Sequence, residues 1–313
     1  MKSFLPRPIA SRACAGAGRN QLERNFRMDS NFITALIMGC CATISMNLGK
    51  GIQKMKVVVW KTWPRVLAPE NRNNFLIWCA GMMMTAGAGI LFTEALNKTD
   101  KSSIIASLNG IGLIALAFFS MSVLKEKVGG REWGAIGLII IGTAVVQYFN
   151  APNALGQDYE PSSLIVTLGV CIGVFAVMVI GTRILNKGRA FVFAAIAGTF
   201  LGLMVILFDI AGVVGGDGMG KYLNFYWLTG FMCGNGAFVF TNMAFFSGSA
   251  TMVVPTVNSF MIIMPMLFEY LIFGVSLRPI QYAGAAVIVA GVVILTTGAG
   301  HLVDDGDAKP GHA

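Results

Sequence analysis

Three carboxylate side chains, Glu94, Asp209 and Glu269, lie inside stretches of sequence that are otherwise apolar. An ionised group within a lipid bilayer is unfavourable unless it faces a partner, a cavity or a transport path, so each marks a candidate functional site. Hard divalent cations prefer carboxylate and carbonyl oxygen ligands. The three residues are therefore the predicted metal-binding positions, with the alternative that Glu94 and Glu269 reach the membrane interface.

Asparagine supplies a second group of polar side chains within or at the ends of the apolar stretches. Its members are Asn47, Asn109, Asn242 and Asn258. An amide surrounded by lipid should find hydrogen-bond partners on neighbouring helices. These residues either line a transport path or join helices. Together with the three carboxylates they are the predicted substrate-binding or pathway residues.

The composition indicates what must position these side chains. Of 313 residues, 55% are hydrophobic and only 12% are charged, whereas a soluble domain carries about 25% charged residues. Apolar runs of about 20 residues can cross a hydrocarbon core of ~30 Å, and their backbone polar groups must pair within helices. The sequence therefore predicts an all-α integral membrane protein. The net charge of +8 then indicates membrane orientation rather than nucleic-acid binding.

About nine transmembrane helices are predicted. They cover residues 31–48, 74–97, 102–124, 132–148, 163–185, 190–214, 223–247, 250–274 and 279–298. The chain divides into a basic tail at 1–30, a first half of four spans at 31–150, a second half of five spans at 160–298 and a polar tail at 299–313. The basic tail is either a cytoplasmic extension, a transit peptide or a segment preceding a true start at Met28. The charged stretch 49–73 is predicted to lie on the membrane surface.

Lysine and arginine are distributed unevenly between the loops. The loops after odd-numbered spans and the C-terminal tail carry thirteen of them, and the opposite loops carry four. Positive loops face the cytoplasm, so the C-terminus is predicted to be cytoplasmic and Met28 to be outside. This placement conflicts with a cytoplasmic basic tail, and cleavage of the tail or a start at Met28 would remove the conflict. The expected location is the plasma membrane or a bacterial inner membrane.

An offset of 149 residues, that between Trp78 and Trp227, superposes spans two to four on spans seven to nine. Other identities at this offset are Gly81/Gly230, Met83/Met232, Gly87/Gly236, Ala88/Ala237, Ala95/Ala244, Asn109/Asn258, Ile114/Ile263, Phe119/Phe268, Ile139/Ile288 and Gly142/Gly291. In the predicted topology the second span runs outward and the seventh runs inward. The sequence therefore predicts two inverted repeats, an arrangement typical of secondary transporters.

The chain carries no signature of an enzyme. It has no P-loop, and its two histidines, His301 and His312, lie in the C-terminal tail. The sequence therefore predicts no catalytic activity and no cofactor. The expected partners are the lipid bilayer and a small ion or small molecule, with a homodimer as one compatible assembly.

Residues 93–146 and 242–295 each combine a span ending in small and bulky apolar residues, a polar hairpin, a helix ending in a polar turn and a glycine-rich final helix. In this respect the chain resembles the drug/metabolite transporter (EamA-like) superfamily over residues 31–298. Its layout is most similar to NIPA-type magnesium transporters. "MNLGKGIQK" at 46–54 resembles the end of their first span, and Pro255 matches a proline of theirs. Ala106 stands near the position where the first half would usually have one.

Three functional hypotheses follow. The first, implied by the resemblance and by the carboxylates, is a secondary transporter that moves magnesium or another divalent cation. The second is an exporter or exchanger of small metabolites such as amino acids, sugars or drugs. The third is a membrane adaptor that transports nothing.

Overall fold

The computed structural model of the chain describes residues 11–62, 65, 68–99, 102–149, 161–185, 187–216 and 218–304. Within these ranges there are helices, turns and short connections but no strand, which confirms the predicted all-α class. Residues 1–10 of the predicted basic tail and 305–313 of the predicted C-terminal tail lie outside the described residues. Residues 11–30 are helical and continue directly into the first apolar run.

Ten α-helices are present in the described part of the chain. They are α1 (Ser11–Met55), α2 (Pro69–Asn97), α3 (Ser102–Ser107), α4 (Asn109–Phe119), α5 (Gly130–Tyr148), α6 (Pro161–Leu185), α7 (Arg189–Gly215), α8 (Phe225–Ser247), α9 (Ala250–Phe273) and α10 (Pro279–Asp304). A π-helical segment, Ser120–Leu124, follows α4, and short 3-10 helices occupy Val57–Thr62 and Gly218–Tyr222.

Seven helical stretches are long and apolar enough to cross a membrane, so the protein is an integral membrane protein. They are Asn31–Met55, Pro69–Asn97, Ile104–Leu124, Pro161–Leu185, Arg189–Gly215, Ala250–Phe273 and Pro279–Thr297. The two other predicted spans also form helices, α5 and α8, and both are long enough. They are less apolar because α5 begins with Arg131 and Glu132 and α8 contains Asn235 and Asn242.

The first helix does not end where the sequence analysis placed its end. The prediction put residues 49–73 on the membrane surface, but α1 continues to Met55 and its last turns are buried. Gly49 makes this possible, since a Cβ at this position would come within 2.7 Å of the Gly81 carbonyl oxygen on α2. Small residues let two helix backbones approach closely in lipid. The buried end of α1 therefore carries Lys50 and Lys54 into the protein.

The third predicted span, 102–124, is one membrane-crossing stretch with two irregularities. Leu108 separates α3 from α4, and its backbone N–H bonds to the Ile105 carbonyl three residues earlier, at 3.1 Å. The π-helical turn then ends at Lys125, which adopts a left-handed conformation with φ 57°. The Asn109-Gly110 dipeptide beside Leu108 is of a type that marks turns, whereas the sequence pattern gave no sign of the π-helical turn.

The 149-residue offset also relates backbone features of the two halves. Gly274, the counterpart of Lys125, is also left-handed, with φ 67°. The N–H of Glu126 bonds to Ser120 O at 3.0 Å, and at the offset position Val275 N–H bonds to Glu269 O at 3.3 Å. The ends of these two helical stretches therefore share one conformation.

The starts of the next helices match in the same way. The Glu132 carboxylate accepts a hydrogen bond from Gly129 N–H at 2.9 Å. At the offset positions, the Gln281 side-chain oxygen accepts one from Arg278 N–H, also at 2.9 Å. Each contact satisfies a backbone donor at a helix N-terminus, as in a capping box. The offset therefore holds for helix ends as well as for residue identities.

Helices α5 and α10, which are offset equivalents, cross each other antiparallel. A Cβ at Gly142 would lie 2.7 Å from Gly284 O and 2.7 Å from the Ile288 side chain. A Cβ at Gly291 would lie 2.8 Å from Ala135 O and 2.7 Å from the Ile139 side chain. Applying the offset converts the first set of contacts into the second. The crossing therefore has local two-fold symmetry.

The remaining helices pack in two similar groups. In the first half α1 packs against α2 and α4, and in the second half α7 packs against α8 and α9. Helix α6 has no counterpart in this pattern, and only 11% of its most apolar window is buried. The core of the molecule therefore consists of two four-helix groups, α1–α5 with α3 and α4 as one span, and α7–α10.

The α5–α10 crossing can be tested with small substitutions. Gly142→Ala should lower the free energy of unfolding by about 1–3 kcal/mol, because the added methyl meets backbone that cannot move easily. Gly291→Ala should do the same, since its surroundings are equivalent. Gly137→Ala on the same helix is the control, as no atom lies within 4 Å of its Cβ position. Thermal unfolding in detergent measures the difference, and equal stability of Gly142→Ala and Gly137→Ala would contradict the close crossing.

Candidate functional site

The α1–α9 interface contains a buried lysine. Lys50 is 7% exposed, and its ammonium Nζ donates a hydrogen bond to Asn258 Oδ1 at 2.8 Å. Asn258 itself is 2% exposed. The two residues lie 208 positions apart in the chain, one in each four-helix group. A charged side chain from the first half thus reaches into the second.

Asparagine side chains extend this contact into a polar chain. Asn258 Nδ2 donates to Asn47 Oδ1 at 3.2 Å, and Asn47 Nδ2 donates to the Thr43 carbonyl oxygen one turn earlier, at 2.8 Å. Gly112 on α4 lies against Asn47, since a Cβ there would collide with Asn47 Nδ2 and with the Thr43 backbone. Three helices, α1, α4 and α9, therefore surround this network.

The amide oxygens of the network are all engaged by donors within it. Asn258 Oδ1 accepts from Lys50, and Asn47 Oδ1 accepts from Asn258. An ammonium group has three N–H donors. Among the described residues, Asn258 supplies the one hydrogen bond found for Lys50, and no carboxylate forms an ion pair with it. The site therefore combines a buried positive charge with donor capacity that the network does not use.

A second lysine, one turn further along α1, is bound differently. Lys54 Nζ donates to the carbonyl oxygens of Phe245 and Gly248, the latter at 2.7 Å. These carbonyls lie at the C-terminal end of α8, where unpaired C=O groups and the helix dipole favour a cation. Lys54 also lies close enough to Glu126 for an electrostatic attraction. Unlike Lys50, it has a carboxylate nearby.

Glu126, in the connection before α5, holds the start of α9. Its Oε1 accepts from Ala250 N–H at 2.7 Å. Its Oε2 accepts from the Thr251 N–H and hydroxyl, each at 3.2 Å. The free N–H groups of a helix N-terminus favour an anion. Lys54 and Glu126 therefore clasp the α8–α9 turn from both sides and close one end of the interface between the halves. We call this set of contacts the clasp.

The predicted asparagines have different surroundings. Asn47 and Asn258 are brought together, as described. Asn242 on α8 accepts a hydrogen bond from Trp78 Nε1 on α2 at 3.2 Å, so it too joins the halves. Asn109 is buried, at 9% exposure, and is the first residue of α4. Asn47, Asn242 and Asn258 therefore each form a hydrogen bond between the halves.

The predicted carboxylates are not assembled into one group. Asp209 on α7 and Glu269 on α9 are both partly buried and interact electrostatically. Glu94 is exposed on α2, which packs mainly against α1. Among the described residues there is no group of three or more His, Cys, Asp and Glu side chains arranged to hold a metal ion. Of the predicted metal ligands, the structure brings together Asp209 and Glu269.

An apolar cavity of about 780 Å³ lies between α6, α7 and α8. Its walls include Phe193, Phe200 and Phe240, with Thr199 and Arg183 as polar members. The cavity is lined by second-half helices and does not include the Lys50 network.

No protein-family model, curated protein or solved structure matches the chain. The contacts of its own residues therefore carry any functional interpretation. Among these, the Lys50 network and the clasp stand out because they join the two halves through charged and polar groups in an otherwise apolar protein.

Lys50, Lys54 and Glu126 are site residues that the sequence pattern did not predict. Both lysines were counted as loop charges because the apolar run ends near Leu48. A signal was present, since Asn47, Lys50 and Lys54 have the i, i+3, i+7 spacing that places residues on one face of a helix. Glu126 gave no comparable signal, because its partners lie 124 and 125 residues further along the chain.

The clasp predicts a local effect on backbone opening. Glu126→Gln removes the charge and leaves one acceptor oxygen, which should weaken the N-terminus of α9 by about 1–2 kcal/mol. Hydrogen exchange at Ala250 and Thr251 should then become about tenfold faster. Glu70→Gln, an exposed carboxylate in the first turn of α2, is the control. Unchanged exchange in the Glu126 variant would show that the carboxylate does not hold this turn.

Proposed function

We propose that the chain is a secondary transporter of small metabolites, built like members of the drug/metabolite transporter superfamily. In this proposal nine helices cross the membrane, and the groups α1–α5 and α7–α10 are inverted repeats that move relative to each other. The observation that carries the proposal is the buried Lys50–Asn258–Asn47 network, which lies between the two groups. Antiparallel packing of the equivalent helices α5 and α10 supports the inverted arrangement.

A membrane adaptor has no evident need for such a network. A buried ionisable residue in a membrane protein is retained chiefly where it serves a substrate, an ion or a proton. Inverted repeats place such a site at the junction of two units that can rock against each other. Lys50 meets both conditions, since it is buried and bonds across the junction. These features favour transport over a purely structural role.

The geometry favours a metabolite over magnesium as the substrate. A positive charge buried in a medium of low dielectric constant repels a divalent cation over several ångströms. Lys50 would therefore oppose Mg²⁺ at the junction of the halves. The observation that favours magnesium is that Asp209 and Glu269 are close enough to interact electrostatically, so the pair would attract a cation elsewhere along a path. Magnesium transport thus stays the second candidate.

Movement between the halves can be tested by cross-linking. In a background without native cysteines, Asn47→Cys with Asn258→Cys places two thiols across the junction, where the amides are 3.2 Å apart. Oxidation should abolish flux in proteoliposomes offered magnesium, amino acids and sugar phosphates in parallel, and reduction should restore it. Because both substitutions lie in the proposed site, the reduced double variant is the reference state.

The control for this experiment is a cross-link within one half. Gln53 Nε2 donates to Thr85 Oγ at 3.0 Å between α1 and α2, so Gln53→Cys with Thr85→Cys should cross-link without blocking flux. Equal flux in the oxidised and reduced junction variant would contradict rocking of the halves. Absence of flux of every compound in the panel by the wild-type protein would instead favour the adaptor.

The two substrate candidates differ in their dependence on Asp209. If magnesium is transported, Asp209→Asn should abolish its uptake, because the neutral amide loses the Coulomb attraction for a divalent ion. If a metabolite is transported, the same variant should retain flux within about twofold. Glu70→Gln, at an exposed carboxylate in the first turn of α2 that lies outside the predicted site, is the control. If Asp209→Asn still takes up magnesium, the Asp209 carboxylate does not lie on the transport path.

A further inference from the structure

We propose that Lys50 binds the carboxylate or phosphate group of a small organic anion at the junction of the two halves. This inference rests on the proposed transport function and specifies its substrate class. It starts from the imbalance of charge at Lys50, which is buried and has an amide oxygen, not a carboxylate, as its partner among the described residues.

Lys54, on the same helix, is a lysine whose positive charge is balanced by nearby groups. Lys54 has two backbone carbonyls at the end of α8 and Glu126 close by. Lys50, one turn deeper, has neither. A buried charge without a counterion is strongly unfavourable, so an anion entering the site would supply what the protein omits.

The hydrogen-bonding state of the network supports an acceptor as the ligand. Both amide oxygens of Asn47 and Asn258 already accept hydrogen bonds. The unused capacity lies on the donor side, at the remaining N–H groups of Lys50. A carboxylate or phosphate offers several acceptor oxygens and forms short, charge-assisted hydrogen bonds with an ammonium group. A cation or a neutral hydrocarbon would satisfy none of these groups.

The residue that follows Asn258 in α9 carries a further buried oxygen. The Ser259 hydroxyl, next to Asn258 in the chain, has no hydrogen-bond partner in the described part of the molecule. Buried polar atoms are nearly always hydrogen-bonded, so such an exception calls for an explanation. The acceptor of this hydroxyl is not among the described residues, and because consecutive residues of a helix project about 100° apart, Ser259 does not share the face on which Asn258 meets Lys50.

The location of the clasp is consistent with controlled entry to this site. Lys54 and Glu126 hold the α8–α9 turn at the end of the interface, one helical turn from Lys50. Release of the turn would expose the deeper ammonium from that side. An anion approaching the interface would therefore meet Lys54 first and Lys50 next.

Binding can be measured on the purified full chain by thermal unfolding. The probes are malate and glycerol 3-phosphate, with glycerol and magnesium chloride as uncharged and cationic comparisons. At 100-fold excess over Kd, at least one of the two anions should raise Tm by roughly 5 °C. Malate alone identifies a carboxylate site and glycerol 3-phosphate alone a phosphate site.

Three variants separate ligand binding from a structural role. Lys50→Met should weaken anion binding at least about 30-fold. Lys127→Met, which removes an exposed charge from the connection before α5, should bind as the wild type does. Asn258→Asp places a carboxylate 2.8 Å from the ammonium, so it should compete internally and weaken anion binding while keeping the protein folded.

The outcomes also separate this inference from transport itself. If neither anion stabilises the wild-type protein, or if Lys50→Met and the wild type respond equally, the anion site is overturned, while flux of another compound would leave the transporter intact. If the anions bind through Lys50 but no flux occurs in proteoliposomes, the site stands and the transport function is overturned. Should Lys50→Met fail to fold, Asn258→Asp alone decides between the two results.

Discussion

A positive charge buried in an apolar helical protein must be solvated by the protein or by a ligand, and Lys50 imposes this requirement on the interface between the two halves. The surrounding structure meets it in part. Asn258 turns its oxygen to the ammonium, Asn47 supports Asn258, and Gly112 leaves room for Asn47 between the helices. These residues come from three helices, with Lys50 and Asn47 on α1, Asn258 on α9 and Gly112 on α4. The identity of several positions thus follows from a single charge.

Small residues make such an interface possible in lipid. Without a hydrophobic driving force between helices, close backbone approach and interhelical hydrogen bonds must hold the bundle together. Gly49 brings α1 onto α2, and Gly142 and Gly291 bring α5 onto α10. The last pair is related by the same offset that relates the helix caps. Packing in the two halves therefore uses one pattern twice, whereas Lys50 occurs in the first half alone.

That asymmetry bears on mechanism. Asn109 and Asn258 are equivalent by sequence, but Asn258 is the one that contacts Lys50. Glu126 corresponds to Val275, so the carboxylate of the clasp has no counterpart in the second half. In the proposed transporter, two related units that carry different charges would favour one arrangement of the halves over the other. The clasp closes one end of the interface in the arrangement described here.

Much of the helical layout was predictable, because apolar runs bounded by charged turns are a strong signal. All nine predicted spans coincide with helices, and seven of them meet the length and hydropathy expected of a membrane crossing. The predicted end of α1 was wrong. The prediction placed Lys50 and Lys54 in a loop, whereas helix packing buries them within the protein. Asn47 and Asn258 were predicted singly as polar positions. The hydrogen bond between them was not predicted, because it depends on the packing of helices that are far apart in the sequence.

The proposed antiparallel relation of the halves is tested most directly by the sidedness of two equivalent turns. Lys127 and Ser276 are both exposed and are related by the 149-residue offset. In a background without native cysteines, each is replaced by cysteine and treated with a membrane-impermeant thiol reagent on intact cells. If the halves are inverted, Ser276→Cys is labelled from outside and Lys127→Cys only after permeabilisation. Labelling of both turns from the same side would contradict inverted halves.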